Sequence, residues 1–124
     1  MIRHRPSIRW QAPLLAAAAL VGAAGVARAH AVLLESKPAA KETVPGPDVD
    51  VRLRFNVRVD AARSRLSLLL PDQSVRELSL DAQTEPQSLA CRATGLKAGA
   101  HRLRWQVLAT DGHITRGEVP FDVK

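Results

Sequence analysis

From Val49 onward the chain alternates between apolar and polar residues with a period of two. Val49, Val51, Leu53 and Phe55 interleave with Asp50, Arg52 and Arg54, the signature of a strand with one buried and one wetted face. Leu66, Leu68 and Leu70 repeat the pattern, and Pro71-Asp72-Gln73-Ser74 follows as a turn. Val75–Leu80 and Ser88–Ala93 read as shorter strands. His101, Leu103, Trp105 and Val107 share one face of a further strand, with Arg102, Arg104 and Gln106 on the other. Val119, Phe121 and Val123 close the chain, and Ala31–Glu35 offers an opening strand.

Breakers separate these runs: Pro38, Pro45-Gly46-Pro47, Pro86, Gly95 and Gly99. No window carries a sustained helical period, although Ala39–Thr43 or Ala61–Ser64 can form a turn. About seven short strands punctuated by turn signals predict an all-β fold, an antiparallel β-sandwich or small barrel.

The first 29 residues follow different rules. Met1–Pro13 contains Arg3, Arg5 and Arg9 and no acid, Leu14–Val26 is apolar throughout, and Ala27-Arg28-Ala29 supplies small residues for signal peptidase. This is the pattern of a cleaved secretory signal peptide over 1–29, and the apolar run is short for a bilayer span of about 20 residues. Residues 30–124 then form one domain of modest core.

The leader also accounts for most of the basicity. Arg3, Arg5, Arg9 and Arg28 are four of the 18 Lys and Arg, whereas all 12 acids lie beyond residue 29. Fourteen bases against 12 acids leave a net +2, which gives no support for a nucleic-acid partner. Cys91 is the single cysteine, so no intramolecular disulfide forms, and its place in an alternating run predicts a buried, inert thiol.

Two features carry candidate chemistry. Cleavage after Ala29 makes His30 the new N-terminus, where the α-amine and the ring Nδ1 can chelate a metal together. The amine's ordinary pKa of about 7.7–8.0 lets a strong Lewis acid displace its proton at neutral pH, and copper(II) favours such nitrogen donors. Asp111-Gly112-His113 follows the best-defined strand. Extended residues i and i+2 point the same way, which would let Asp111 and His113 converge on one ion. Taken singly, each feature has a plain alternative, a chance terminal histidine or a polar turn.

The run His30-Ala31-Val32-Leu33-Leu34-Glu35-Ser36-Lys37-Pro38-Ala39, the strand end Leu53-Arg54-Phe55-Asn56, and Leu103–His113 with Gly117 and Phe121-Asp122-Val123-Lys124 together resemble the CopC-type periplasmic copper-binding proteins. The resemblance implies a cupredoxin-like or immunoglobulin-like sandwich that holds one copper(II) ion through His30, Asp111 and His113. It further implies a role in copper resistance, buffering or delivery, with an inner-membrane transporter of the CopD type as partner. Val57, with Asn56 before it, stands where relatives often have a carboxylate, so the site is one oxygen ligand short. Beyond Met1 there is no methionine, which excludes a thioether copper(I) site in residues 30–124. The resemblance implies a binding protein and not an enzyme. Two rivals remain open from sequence: a copper redox enzyme with an N-terminal histidine, and a metal-free interaction module. His101 is expected to pack at the sandwich rim, Glu35 and Asp60 are spare carboxylates, and Arg116 is placed to hydrogen-bond Asp111.

Overall fold

A computed structural model describes residues 30–124; the expected signal peptide over 1–29 and its cleavage site lie outside the described residues. Eight strands build two sheets: β1 (Leu33–Lys37), β2 (Thr43–Val44), β3 (Val49–Phe55), β4 (Arg65–Leu69), β5 (Val75–Leu78), β6 (Ser88–Ala93), β7 (Gly99–Leu108) and β8 (Ile114–Val123). One sheet has the order β1-β3-β6 and the other β2-β8-β7-β4-β5. Every pairing is antiparallel except β2 with β8. The expected all-β sandwich is therefore the fold.

The two inner faces meet in one core. Leu53 and Phe55 from the smaller sheet and Leu66, Leu68, Leu103 and Val107 from the larger are fully buried, and Phe121 is nearly so. These are the apolar members of the alternating runs, so the period-two pattern and the burial pattern are the same fact seen twice. Cys91 also packs in this core, and burial pushes its thiol up to about 11.

Three departures from the sequence pattern have local causes. β2 pairs only two residues with β8, too short for periodicity to register. β1 starts two residues later than expected, and its register with β3 slips between Leu33 and Glu35; Val32 just before it and Leu34 at the slip are each about half exposed, so the apolar run there does not mark a buried face. β8 begins five residues earlier than the alternation indicates. Its inner position opposite Trp105 is Gly117, where the indole lies across the strand and occupies the space a Cβ would need. An aromatic covering a strand glycine keeps the layer packed without an apolar side chain to reveal it.

Candidate metal centre

The two chain segments singled out for metal chemistry meet at one end of the sandwich. His30 precedes β1, and its position depends on Asn56, the residue following β3. The Asn56 backbone N–H donates to Val32 O at 3.0 Å. Its side-chain Oδ1 accepts from Val32 N at 2.7 Å, and its Nδ2 donates to His30 O at 3.3 Å. One asparagine thus extends the β1–β3 pairing past the bulge and clamps the backbone on both sides of Ala31, which is itself buried. The His30 side chain is left exposed.

Asp111 and His113 lie in the turn between β7 and β8. Gly112 N donates to Ala109 O and Ala109 N to His113 O, each at 2.9 Å, closing a tight loop in which Gly112 takes φ +91°. Nothing lies within 4 Å of a Cβ placed there, so the requirement for glycine is conformational and not steric. The loop rests on the segment just beyond Asn56: Thr110 N donates to Arg58 O at 3.2 Å, and Val59 bridges to Ala109. Residues 56–59 therefore hold both halves of the site.

Within the loop, Asp111 Oδ1 accepts the His113 backbone N–H at 3.0 Å. Its Oδ2 stands 3.1 Å from His113 Nδ1. That separation is short, but the approach is poorly directed, and Nδ1 is buried without a well-aligned hydrogen-bond partner. The Asp111 carboxyl is held below its ordinary value, first by the His113 backbone N–H; desolvation opposes this, and the His113 ring and the nearby His30 add weaker lowering effects. The His30 and His113 rings are 5.9 Å apart between centroids, edge to face at 64°.

This arrangement suits a copper(II) ion in its donor chemistry. With nitrogen–metal bonds of about 2.0 Å, two imidazoles on one ion have centroids roughly 4.5–6.3 Å apart between cis and trans placements, a range that contains the observed separation. The buried, poorly paired Nδ1 and the ionised carboxylate beside it are a nitrogen and an oxygen donor on one side of that gap. Among the described residues, however, no three His, Cys, Asp or Glu side chains are already drawn to ligating distance of a common point. His30 lies near the Asp111–His113 pair without closing on it.

The remaining candidates sort clearly. Val57 is half-buried against the core and presents no donor. Arg116 does not reach Asp111; its Nε donates to Gln106 Oε1 at 2.8 Å, because both side chains stand on the outer face of the β7–β8 pair. Glu35 is engaged by Arg54 at 2.9 Å, and Asp60 caps the short 3-10 turn Ala61–Arg63. His101 sits near the start of β7, at the far end of the strand, stacked on Phe121 at 5.4 Å with Nδ1 2.9 Å from Gly99 O. It contributes nothing to the site. Asn56 is the residue that sequence reading undervalued, since an exposed amide at a strand end gives no signal of what it will clamp.

Comparison with known proteins places the fold in a family. Residues 33–124 match the CopC domain. The crystal structure of CopC from Methylosinus trichosporium OB3b is 32% identical and superposes with a TM-score of 0.71 over 77% of this chain and 94% of that one. PcoC, a methionine-rich copper resistance protein from Escherichia coli, is 25% identical with a TM-score of 0.63, covering 77% of this chain and all of its own. Copper resistance protein C of Xanthomonas campestris pv. juglandis is 27% identical over 119 residues, 90% of this chain and 91% of that protein. A match running from the first strand to the last residue of the sandwich is sufficient for assignment: the chain belongs to the CopC domain family.

Proposed function

We propose that the chain is exported to the periplasm, loses residues 1–29, and there holds one copper(II) ion for copper resistance. The ion is bound by the His30 amine and ring, by Asp111 and by His113. The observation that carries this reading is the buried, poorly paired Nδ1 of His113 beside the Asp111 carboxylate, with the His30 ring facing it at 5.9 Å between centroids. A free amine at residue 30 adds a donor that side-chain geometry alone does not count, and so the absence of a closed side-chain triad is compatible with a chelating terminus.

The chain's own residues divide the work. Asn56 sets where the terminus lies, and the Gly112 turn holds Asp111 and His113 side by side. Asp111 stays ionised well below neutral pH and supplies the negative charge that divalent copper needs. With Val57 in place of a further carboxylate, water completes the coordination and the ion is held for buffering or handover, with a CopD-type inner-membrane transporter as the natural recipient. The role is binding and not turnover.

The test is copper(II) titration of protein beginning at His30, followed by electron paramagnetic resonance. One equivalent with a nitrogen-rich signal, abolished in His30→Ala and in protein carrying one extra N-terminal residue, supports the site. A signal indifferent to both changes removes it and leaves a metal-free sandwich module.

A further inference from the structure

The two sheets present very different charge to solvent. On the outer face of β1-β3-β6 each guanidinium meets a carboxylate: Arg52 pairs with Glu85 at 2.9 Å, Arg54 with Glu35 at 2.9 Å, and Arg92 with Asp50 at 3.3 Å and Asp48 at 3.8 Å. Lys37 completes four bases against four acids around this face. The outer face of β4, β7 and β8 has no such balance. Arg102 and Arg104 share one carboxylate, Glu118, at 3.2 and 3.0 Å. Arg116 is bonded only to the neutral Gln106 amide. Arg65, paired in register with Gln106, has no carboxylate within ion-pair distance among the described residues. Arg65, Arg104 and Arg116 line one open groove with Glu77 and Glu118. Counting Arg102, and Asp122 further along the exposed face of β8, four guanidiniums stand against three carboxylates, and neither Arg65 nor Arg116 has a carboxylate partner among the described residues.

We propose that this groove docks an acidic segment of a partner protein. Every base on it is arginine, whose planar fork binds carboxylates in pairs and loses less freedom in doing so than a lysine ammonium. Glu77 and Glu118 interrupt the positive field, which disfavours a uniformly anionic surface such as a bilayer or a nucleic-acid backbone and favours a partner with carboxylates set at intervals. The face is also continuous with an apolar contact. Gln106 and Arg116 are one register pair, and two residues further along the strands Leu108 pairs with Ile114, which is about half exposed. A bound segment would therefore run from charged groove to apolar rim and end beside Asp111 and His113; only the idea that it exchanges copper there rests on the copper reading.

The test uses metal-free protein and a short peptide of alternating glutamate and serine as probe, followed by amide chemical-shift changes at low salt. Shifts confined to β4, β7 and β8 around Arg65, Arg104 and Arg116 are expected, with affinity falling roughly tenfold or more in the Arg65→Glu/Arg116→Glu double variant and fading as ionic strength rises. The Arg52→Glu/Arg92→Glu double variant of the other face should bind as the parent does. Shifts spread over both faces, equal loss in both double variants, or preference for phosphatidylglycerol vesicles or single-stranded DNA over the peptide would overturn the proposal. Copper titration of Arg65→Glu/Arg116→Glu keeps the two readings separate, because this change leaves the metal donors in place.

Discussion

The two ends of the β7–β8 hairpin each hold a histidine, and the contrast between them shows what makes an imidazole chemically useful. His101, near the start of β7, is 2% exposed, stacked on Phe121 and tied through Nδ1 to Gly99 O. His113, in the turn at the other end, has a side chain 39% exposed, a carboxylate 3.1 Å away and a second histidine ring opposite. Each has one ring nitrogen without a well-directed partner. At the buried end the ring is packed against Phe121 and the unpaired nitrogen is simply a cost of packing. At the open end the nitrogen is also buried, but the ring that carries it is partly exposed and has a negative neighbour and a second imidazole beside it, which is the donor chemistry that metal ligation needs.

The sharpest way to break this contrast is to remove the terminal chelate. His30→Ala, or one residue added before His30, is expected to weaken copper(II) binding about a hundredfold, ~2.7 kcal/mol, measured by competition titration. His101→Phe should leave copper affinity unchanged. If His101→Phe weakens copper and His30→Ala does not, the two ends have been assigned the wrong roles.

Packing near the open end comes next. Gly117→Ala places a methyl where the Trp105 indole now lies, and overpacking of this kind costs about 1–3 kcal/mol. Thermal denaturation should show the loss, with a change in tryptophan fluorescence reporting the displaced ring. The same fluorescence in variant and parent would mean that the indole is not held against Gly117.

Asn56 provides a finer probe. Asn56→Ala removes two side-chain hydrogen bonds to the 30–32 backbone, a loss of about 1–2 kcal/mol, and should speed amide exchange at Val32 in metal-free protein while weakening copper. Asn56→Asp keeps the acceptor for Val32 N but loses the donor to His30 O, so it should fall between. Unchanged exchange at Val32 in Asn56→Ala would show that the clamp does not order the terminus.

The smallest effect belongs to Cys91. Its thiol is raised from an ordinary value near 9 to about 11 by burial, with a lesser push from Asp81. The unfolded thiol ionises first as pH rises, so stability is expected to decline between about pH 9 and pH 11, and Cys91→Ala should flatten that decline. Thiol reagents at pH 8 should label the protein only when it unfolds; rapid labelling of the native state would contradict the burial.

Much of this was legible without coordinates. β3 and β6 run over the same residues that alternation marks, and the inner face of β7 is the predicted one, because a strand half-buried along its length records its environment in every second residue. The open-end ligand candidates were legible as well, since a histidine beside a cleavage motif and an Asp-x-His are local patterns. What escaped was whatever depends on a distant partner. β2 exists only through β8, the start of β8 is hidden by a glycine that Trp105 covers, and Arg116 turns to Gln106 because a cross-strand neighbour claims it.

Periodicity and residue chemistry thus determined the sandwich, its inner face and the donors available, because these depend on solvent and on nearest neighbours along the chain. Tertiary structure decided the rest: that His30 and His113 share an end, that Asn56 clamps the first residues, and that unpaired guanidiniums gather on one sheet. Those outcomes depend on which strands lie side by side, and a one-dimensional pattern carries no information about lateral order until the sheets have packed.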